Sequence, residues 1–419
     1  MMRRSALLGV WLGLAGAGLF SCGGADTRPS VAAGAGAAAG GQQLGTGGAV
    51  PTRPDAGGQG GAAANATNGD AGALLTAGAA GDGEPNCGPA ALDGVVVYAE
   101  SGWDPLGYPP YALDGCTFVY VAGNADGTGG ALHLRDLSTG VDVVLAEASE
   151  HPRRPTVAGA VIAWEIVSAG GSRVRLRYSG GRELLELGFF NAGEPRATFD
   201  AVVFTAFLGV GPSADTDVHL FDVTTQEVTT VATGAGQQRF ADVSPTHVAV
   251  TDFSEDPRGY FDEAGSISDV VLIERSTGKR TQRAAPGKQA FPLLGANGAL
   301  SYLEWGAVHP EPKFSQFKLK AGQIGQPVET DFNVKGGDAL VSTNPAYVRP
   351  SLHGAYLDYV DEVASSPQLF RVALGSAAVP TLAAIPGASR LFGPVATDRL
   401  TLVAKPLQGA ALALVAVTR

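Results

Sequence analysis

Cysteine is scarce: three residues in 419. That excludes a disulfide-dense scaffold and any multi-cysteine zinc or iron–sulfur site. Charge is sparse too, at 16% of residues, and aromatics make up 7%. So few charges do not support a coiled coil or a large helical bundle. Positive charge runs short of negative, leaving a net charge of −11. With no basic surplus to neutralise phosphates, nucleic-acid binding is disfavoured. What the chain has in abundance is turn formers, 59 Gly and 26 Pro.

Its one long apolar run lies at the start. Arg3 and Arg4 precede Leu7 to Phe20, a stretch of signal-peptide length that is short for a membrane span. It ends in Leu19-Phe20-Ser21-Cys22. That sequence resembles a bacterial lipobox, with Leu at −3, a small residue at −1 and then the cysteine that receives lipid; Phe20 departs from the usual small or β-branched residue at −2. The plainer alternative is an ordinary signal peptide that happens to contain a cysteine. The resemblance implies residues 1–21 as signal peptide, Cys22 as lipidation site, and an exported protein anchored in the bacterial cell envelope, at the outer membrane or cell surface. Cys87 and Cys116 then remain as one even pair for an oxidising compartment.

Residues 22–85 read as a tether. Positions 23–85 hold 18 Gly and 18 Ala among 63 residues, with no apolar period. Such a segment buries too little surface to offset its ordering entropy, and as a flexible coil it spans about 45 Å.

From Cys87 onward short apolar runs alternate with Gly, Pro, Asp and Asn, the pattern of strands and turns. The pattern also repeats. Arg154-Pro-Thr-Val-Ala-Gly-Ala-Val161 returns as Arg349-Pro-Ser-Leu-His-Gly-Ala-Tyr356. Weaker copies begin near Tyr111, Pro195, Phe240, Phe291 and Phe392. A second unit follows each, as in ALHLRDLSTG from Ala131, VHLFDVTT from Val218 and VVLIERSTG from Val270. One period is four antiparallel strands in about 41 to 57 residues, the period of a β-propeller blade.

These residues resemble the TolB-type and WD40-like propeller repeats of bacterial envelope proteins. The resemblance rests on the Ser-Pro-Thr turn at 244–246, the LRDLSTG-type hairpins and the period. It implies an all-β chain, with residues 86–419 forming a propeller of seven four-stranded blades; six or eight remain open. It does not imply partnership with a TolB system, because the α/β domain of TolB has no counterpart here. The last repeat is one strand short, and Val95 to Tyr98 is expected to complete it, removing an open sheet edge.

Candidate ligand residues follow from the loops before each innermost strand and between second and third strands. They are His151, Arg154, Glu165, Arg196, Asp252, Glu304, Trp305 and Arg349. A mixed rim of arginine, carboxylate and aromatic side chains suits a polar ligand or a protein partner. The competing structural reading is that arginines and carboxylates at equivalent repeat positions pair and solvate the rim. The six histidines fall in different repeats and select no metal site. The chain carries no Gly-x-Ser-x-Gly elbow, P-loop or His-Glu-x-x-His motif. No cofactor and no catalytic residue is assigned. The expectation is a monomeric, membrane-tethered binding or interaction module for a protein or glycan. The alternative is an envelope lyase or hydrolase acting on polysaccharide or peptide at the channel mouth.

Overall fold

The computed structural model describes residues 87–418 apart from 88–91, 93–94, 99–107, 125–128, 179–183, 210–213, 257, 260–266, 284, 286, 307–316, 327–329, 334–348, 364–365, 375–380, 386–390, 398–399 and 408–410. The signal peptide, Cys22 and the tether lie outside the described residues.

The described chain is all β. It opens with β1 (Val96–Tyr98), then β2 (Tyr111–Asp114), β3 (Thr117–Gly123), β4 (Gly129–Asp136) and β5 (Asp142–Ala146). Five four-stranded antiparallel sheets follow in sequence order. The first contains β6 (Arg153–Ala158), β7 (Val161–Ser168), β8 (Gly171–Arg177) and β9 (Leu185–Glu186). The second contains β10 (Ala192–Ala197), β11 (Ala201–Phe207), β12 (Thr216–Asp222) and β13 (Val228–Ala232). The third contains β14 (Gln238–Val243), β15 (His247–Asp252), β16 (Asp269–Glu274) and β17 (Arg280–Arg283). The fourth contains β18 (Gly287–Leu294), β19 (Ala299–Gly306), β20 (Phe317–Gln323) and β21 (Thr330–Asn333). The fifth contains β22 (Ser351–His353), β23 (Tyr356–Val363), β24 (Ser366–Ala373) and β25 (Thr381–Ala384). The chain ends in β26 (Phe392–Ala396), β27 (Leu400–Pro406) and β28 (Ala411–Thr418).

The N-terminal strand joins the two ends of the repeat array. Val96, Val97 and Tyr98 pair antiparallel with Ala413, Leu412 and Ala411 of β28. Val97 also meets Ala122 of β3, which links β26–β27–β28–β1 and β2–β3–β4–β5 into one eight-stranded sheet. A Cβ on Gly123 would lie 2.8 Å from the Val97 backbone, so this crossing needs glycine. The Cys87–Cys116 disulfide, with Cα atoms 5.1 Å apart, fastens the chain ahead of β1 to the turn between β2 and β3.

Each sheet buries both faces, which is why the second strands are almost uniformly apolar rather than alternating. Val119, Leu132 and Leu134 pack on Ile162 and Trp164 of the next sheet. The opposite face of β7 and β8, with Val161, Ala163 and Leu176, packs on Val202, Phe204 and Phe221. The same scheme recurs between β11–β12 and β15–β16 through Val203, Val218, Val250 and Val271. Val97 and Leu92 enter a cluster shared by Phe118, Leu402, Leu412 and Leu414, so β1 contributes core as well as hydrogen bonds.

Candidate functional site

The first strand of a repeat carries a β-bulge. Pairing slips between Arg153 and Thr156, Gly193 and Arg196, Arg239 and Asp242, Ala290 and Leu293, and Phe392 and Val395. In four of the five the skipped pair ends in proline: Arg154-Pro155, Glu194-Pro195, Phe291-Pro292 and Gly393-Pro394. Proline has no N–H to give a ladder, so an unpaired bulge position tolerates it. The first residue of the skipped pair is left-handed in four of the five, with φ of 52° at Arg154, 58° at Glu194, 52° at Phe240 and 58° at Phe291.

That conformation turns a backbone N–H toward the preceding sheet, where a buried side chain accepts it. Glu194 N donates to Glu165 Oε2 (3.3 Å), Phe240 N to Glu194 Oε2 (3.2 Å) and Phe291 N to Thr251 Oγ1 (3.2 Å). The two carboxylates also hold arginines. Glu165 accepts from Arg153 and, at 3.0 Å, from Arg154. Glu194 accepts from Arg239 and from the Thr205 hydroxyl. Burial pushes the Glu194 carboxyl up, but Arg239 and Arg154 outweigh it and hold the group below its ordinary value. A second tier of inter-sheet bonds lies further along the same strands. Asp114 accepts from Gly159 N, Asp242 Oδ2 from Leu294 N (2.7 Å) and Ser351 Oγ from Ala396 N (3.0 Å).

Inside these strands lies a cavity of about 420 Å³. Residues of β2, β6, β10, β14, β18, β22 and β26 all line it. It opens among the turns from first to second strand, where Gly159, Phe199, Pro245 and Ala296 sit. This is the opposite end of the strands from the loops on which the sequence reading placed a ligand rim. Two residues past each bulge residue, the lining changes identity from repeat to repeat: Thr156, Arg196, Asp242 and Leu293. The corresponding residues of β22 and β26 are Ser351 and Val395.

Three arginines from different repeats converge on one ring. The guanidinium carbons of Arg154, Arg196 and Arg349 lie 5.2, 5.1 and 4.2 Å from the centroid of Tyr108, which is buried just ahead of β2. Burial raises the Tyr108 phenol, against the pull of Arg349 beside it. Arg196 lies 4.0 Å from Asp242, and burial together with Arg349 lowers its own value to about 10, so it remains a cation at neutral pH. Arg349 is different. It is 4% exposed, and its Nε, Nη1 and Nη2 meet no hydrogen-bond acceptor among the described residues.

The sequence-derived candidates therefore separate. Arg196 and Arg349 line the cavity, and Arg154 reaches the same tyrosine while bound to Glu165. Glu165 is buried in the inter-sheet network. Asp252 lies at the end of β15, accepting from the Ser254 backbone, and Glu304 pairs with Lys320 at 3.5 Å. His151 is exposed, at the end of a short 3-10 turn. Trp305 pairs through its backbone with Lys288 and Phe317, and its side chain lies outside the described residues. Sequence reasoning missed Tyr108, Asp242 and Ser351. The signal available was the Arg349-Pro-Ser repeat itself, which already placed Ser351 two residues past Arg349. Among the described residues no group of three or more His, Cys, Asp or Glu is placed to hold a metal, and no helix is long and apolar enough to cross a membrane.

No family model matches this chain, and no curated protein matches it. Solved structures do. The β-propeller domain of the trilobed protease from Pyrococcus furiosus aligns at 12% identity over 77% of this chain and 95% of that one, with a TM-score of 0.52. An oligogalacturonate lyase in complex with manganese aligns at 13% identity over 76% and 90%, with a TM-score of 0.50. TolB from Acinetobacter baumannii aligns at 14% identity with a TM-score of 0.42; the match covers 63% of this chain and 63% of that structure's length. The neighbours include TolB, and the likeness to the protease propeller domain shows the fold alone, a β-propeller.

Proposed function

We propose that this chain is an exported, lipid-anchored propeller of seven blades that binds a small polar envelope ligand, a glycan or peptide, in its axial cavity without turning it over. The ring position two residues past the bulge carries the reading. A purely structural ring would repeat one residue type, whereas this position presents Thr156, Arg196, Asp242, Leu293, Ser351 and Val395, of which Asp242 and Ser351 also accept inter-sheet bonds. Unlike groups facing one space create a directional site. Seven first strands lining one cavity, together with the β1–β28 pairing, support seven blades closed by the N-terminal strand.

The anchor reading rests on Arg3, Arg4, the apolar run and Leu19-Phe20-Ser21-Cys22, with residues 22–85 as tether and 86–419 as propeller. The Cys87–Cys116 bridge is in keeping with an oxidising compartment. Metabolic labelling with a palmitate analogue is expected to mark the wild type and not Cys22→Ala; label persisting in the variant would defeat the anchor.

The binding reading is tested by capture from envelope extract and on a glycan array, comparing wild type with Ala158→Trp, which fills the cavity. Capture lost in the variant supports the channel. Equal capture moves the site to the outer surface, and conversion of a captured polysaccharide or peptide to smaller products replaces binding by catalysis.

A further inference from the structure

Resting on that reading, we infer that the axial cavity recognises an oxoanion, a carboxylate or phosphate group on a small molecule, seated on Arg349 and Arg196 over the ring of Tyr108. The argument is one of leftover charge. Arg153 and Arg154 share Glu165, Arg239 has Glu194, and Arg196 faces Asp242. Arg349 is 4% exposed and makes no hydrogen bond to a carboxylate among the described residues; Asp242, which already faces Arg196, feels its charge only at longer range, so two arginines share one carboxylate. A buried cation without a hydrogen-bonded carboxylate is costly, and a guanidinium cannot escape the cost by losing its proton at neutral pH. The guanidinium fork matches the two oxygens of a carboxylate or phosphate, so a bound oxoanion would supply the missing acceptors.

The surroundings fit the same class of ligand. Asp242 shares the site, held by Leu294 N through one oxygen and facing Arg196 at 4.0 Å, whose positive charge offsets its own. The Tyr108 ring, its centroid 4.2 Å from the Arg349 guanidinium carbon, helps hold that group in place. A volume of about 420 Å³ suits a body the size of one sugar ring or a small organic acid. At the mouth Phe199 is 66% exposed, offering a flat apolar face to whatever body carries the anion.

The experiment is calorimetric titration and thermal melting of the full chain with D-glucuronate, inorganic phosphate and D-glucose as the neutral control. Saturable binding of glucuronate alone assigns a carboxylate, of phosphate alone a phosphoryl group, and of both a general oxoanion pocket. In each case Arg349→Met weakens binding about tenfold to a hundredfold, the worth of charge-assisted hydrogen bonds, and Arg349→Lys falls between. Arg349→Met should melt no lower than wild type without ligand, since it removes a buried charge that no carboxylate bonds. The inference fails if neither anion saturates at millimolar concentration, if Arg349→Met binds as wild type does, or if it unfolds the protein. A neutral ligand blocked by Ala158→Trp and indifferent to Arg349→Met would sink the oxoanion inference and leave the channel reading standing.

Discussion

Buried carboxylates in a ring of arginines look like catalytic groups, yet Glu165 and Glu194 each have a complete structural assignment. Glu194 is fully buried and accepts from Arg239, the Thr205 hydroxyl and the Phe240 N–H. Glu194→Gln removes the charge that balances Arg239 and is expected to cost about 3–5 kcal/mol in urea unfolding at pH 7. The pH dependence has a definite sign. Because the folded value lies below the unfolded one, this carboxylate stabilises fully above its unfolded pKa, about 4.3, and the contribution disappears as pH falls through the folded value. Asp242 and Asp358 are raised by burial and act oppositely, so their contributions improve on acidification just above the ordinary carboxylate range. The quantity to measure is therefore the gap between wild type and Glu194→Gln from pH 7 to 3. It should be constant down to about pH 5 and then close; a gap that widens in acid would contradict the assignment.

At the scale of the element, the bulged first strand is the device that matters. It breaks the ladder, turns one N–H toward the preceding sheet and brings the residue two positions on to the cavity wall. The second repeat shows how tight this is. A Cβ at Gly193 would lie 2.6 Å from Glu165 Oε2, and that carboxylate cannot swing away because Arg153, Arg154 and Glu194 N hold it. Gly193→Ala is expected to lower the urea midpoint with a cost of about 1–3 kcal/mol at unchanged slope. A neutral result would mean that the Glu165 network is loose.

For the whole molecule the decisive element is three residues long. Val96–Tyr98 supplies the strand that the last repeat lacks and meets the first repeat on its other side. A chain beginning at Ser101 should melt far below one beginning at residue 86 and aggregate, since β28 would become an open apolar edge. Gly123→Ala tests the same junction without truncation. Its Cβ would strike the Val97 backbone, so faster hydrogen exchange of Val96–Tyr98 and of their β28 partners is expected. Substituting both Cys87 and Cys116 by Ser opens a loop of 29 residues and should cost roughly 3 kcal/mol. Equal thermal melting of the disulfide-free and native proteins would show that β28 pairing alone holds the N-terminal segment.

Much of this architecture is local and hence readable in the residues. Alternation with period two, turns at Gly, Asp and Ser-Pro-Thr, and uniformly apolar second strands mark four-stranded repeats because each depends on neighbours within a few positions. The pairing of Cys87 with Cys116 followed from arithmetic on three cysteines, and the spare strand Val95 to Tyr98 from the short last repeat. The proline after Arg154, Glu194 and Phe291 was equally visible, but its meaning was not. A bulge shows only when the partner strand's register is known. Which carboxylate satisfies which N–H depends on two sheets lying side by side, a relation between residues about thirty to fifty positions apart. The same holds for the cavity. Arg349 and Arg196 were singled out as polar residues of a loop rim, but only packing decides that they meet on the ring of Tyr108, and that Arg349 makes no hydrogen bond to a carboxylate among the described residues. Strand order follows from periodicity along the chain; charge balance follows from distances across it.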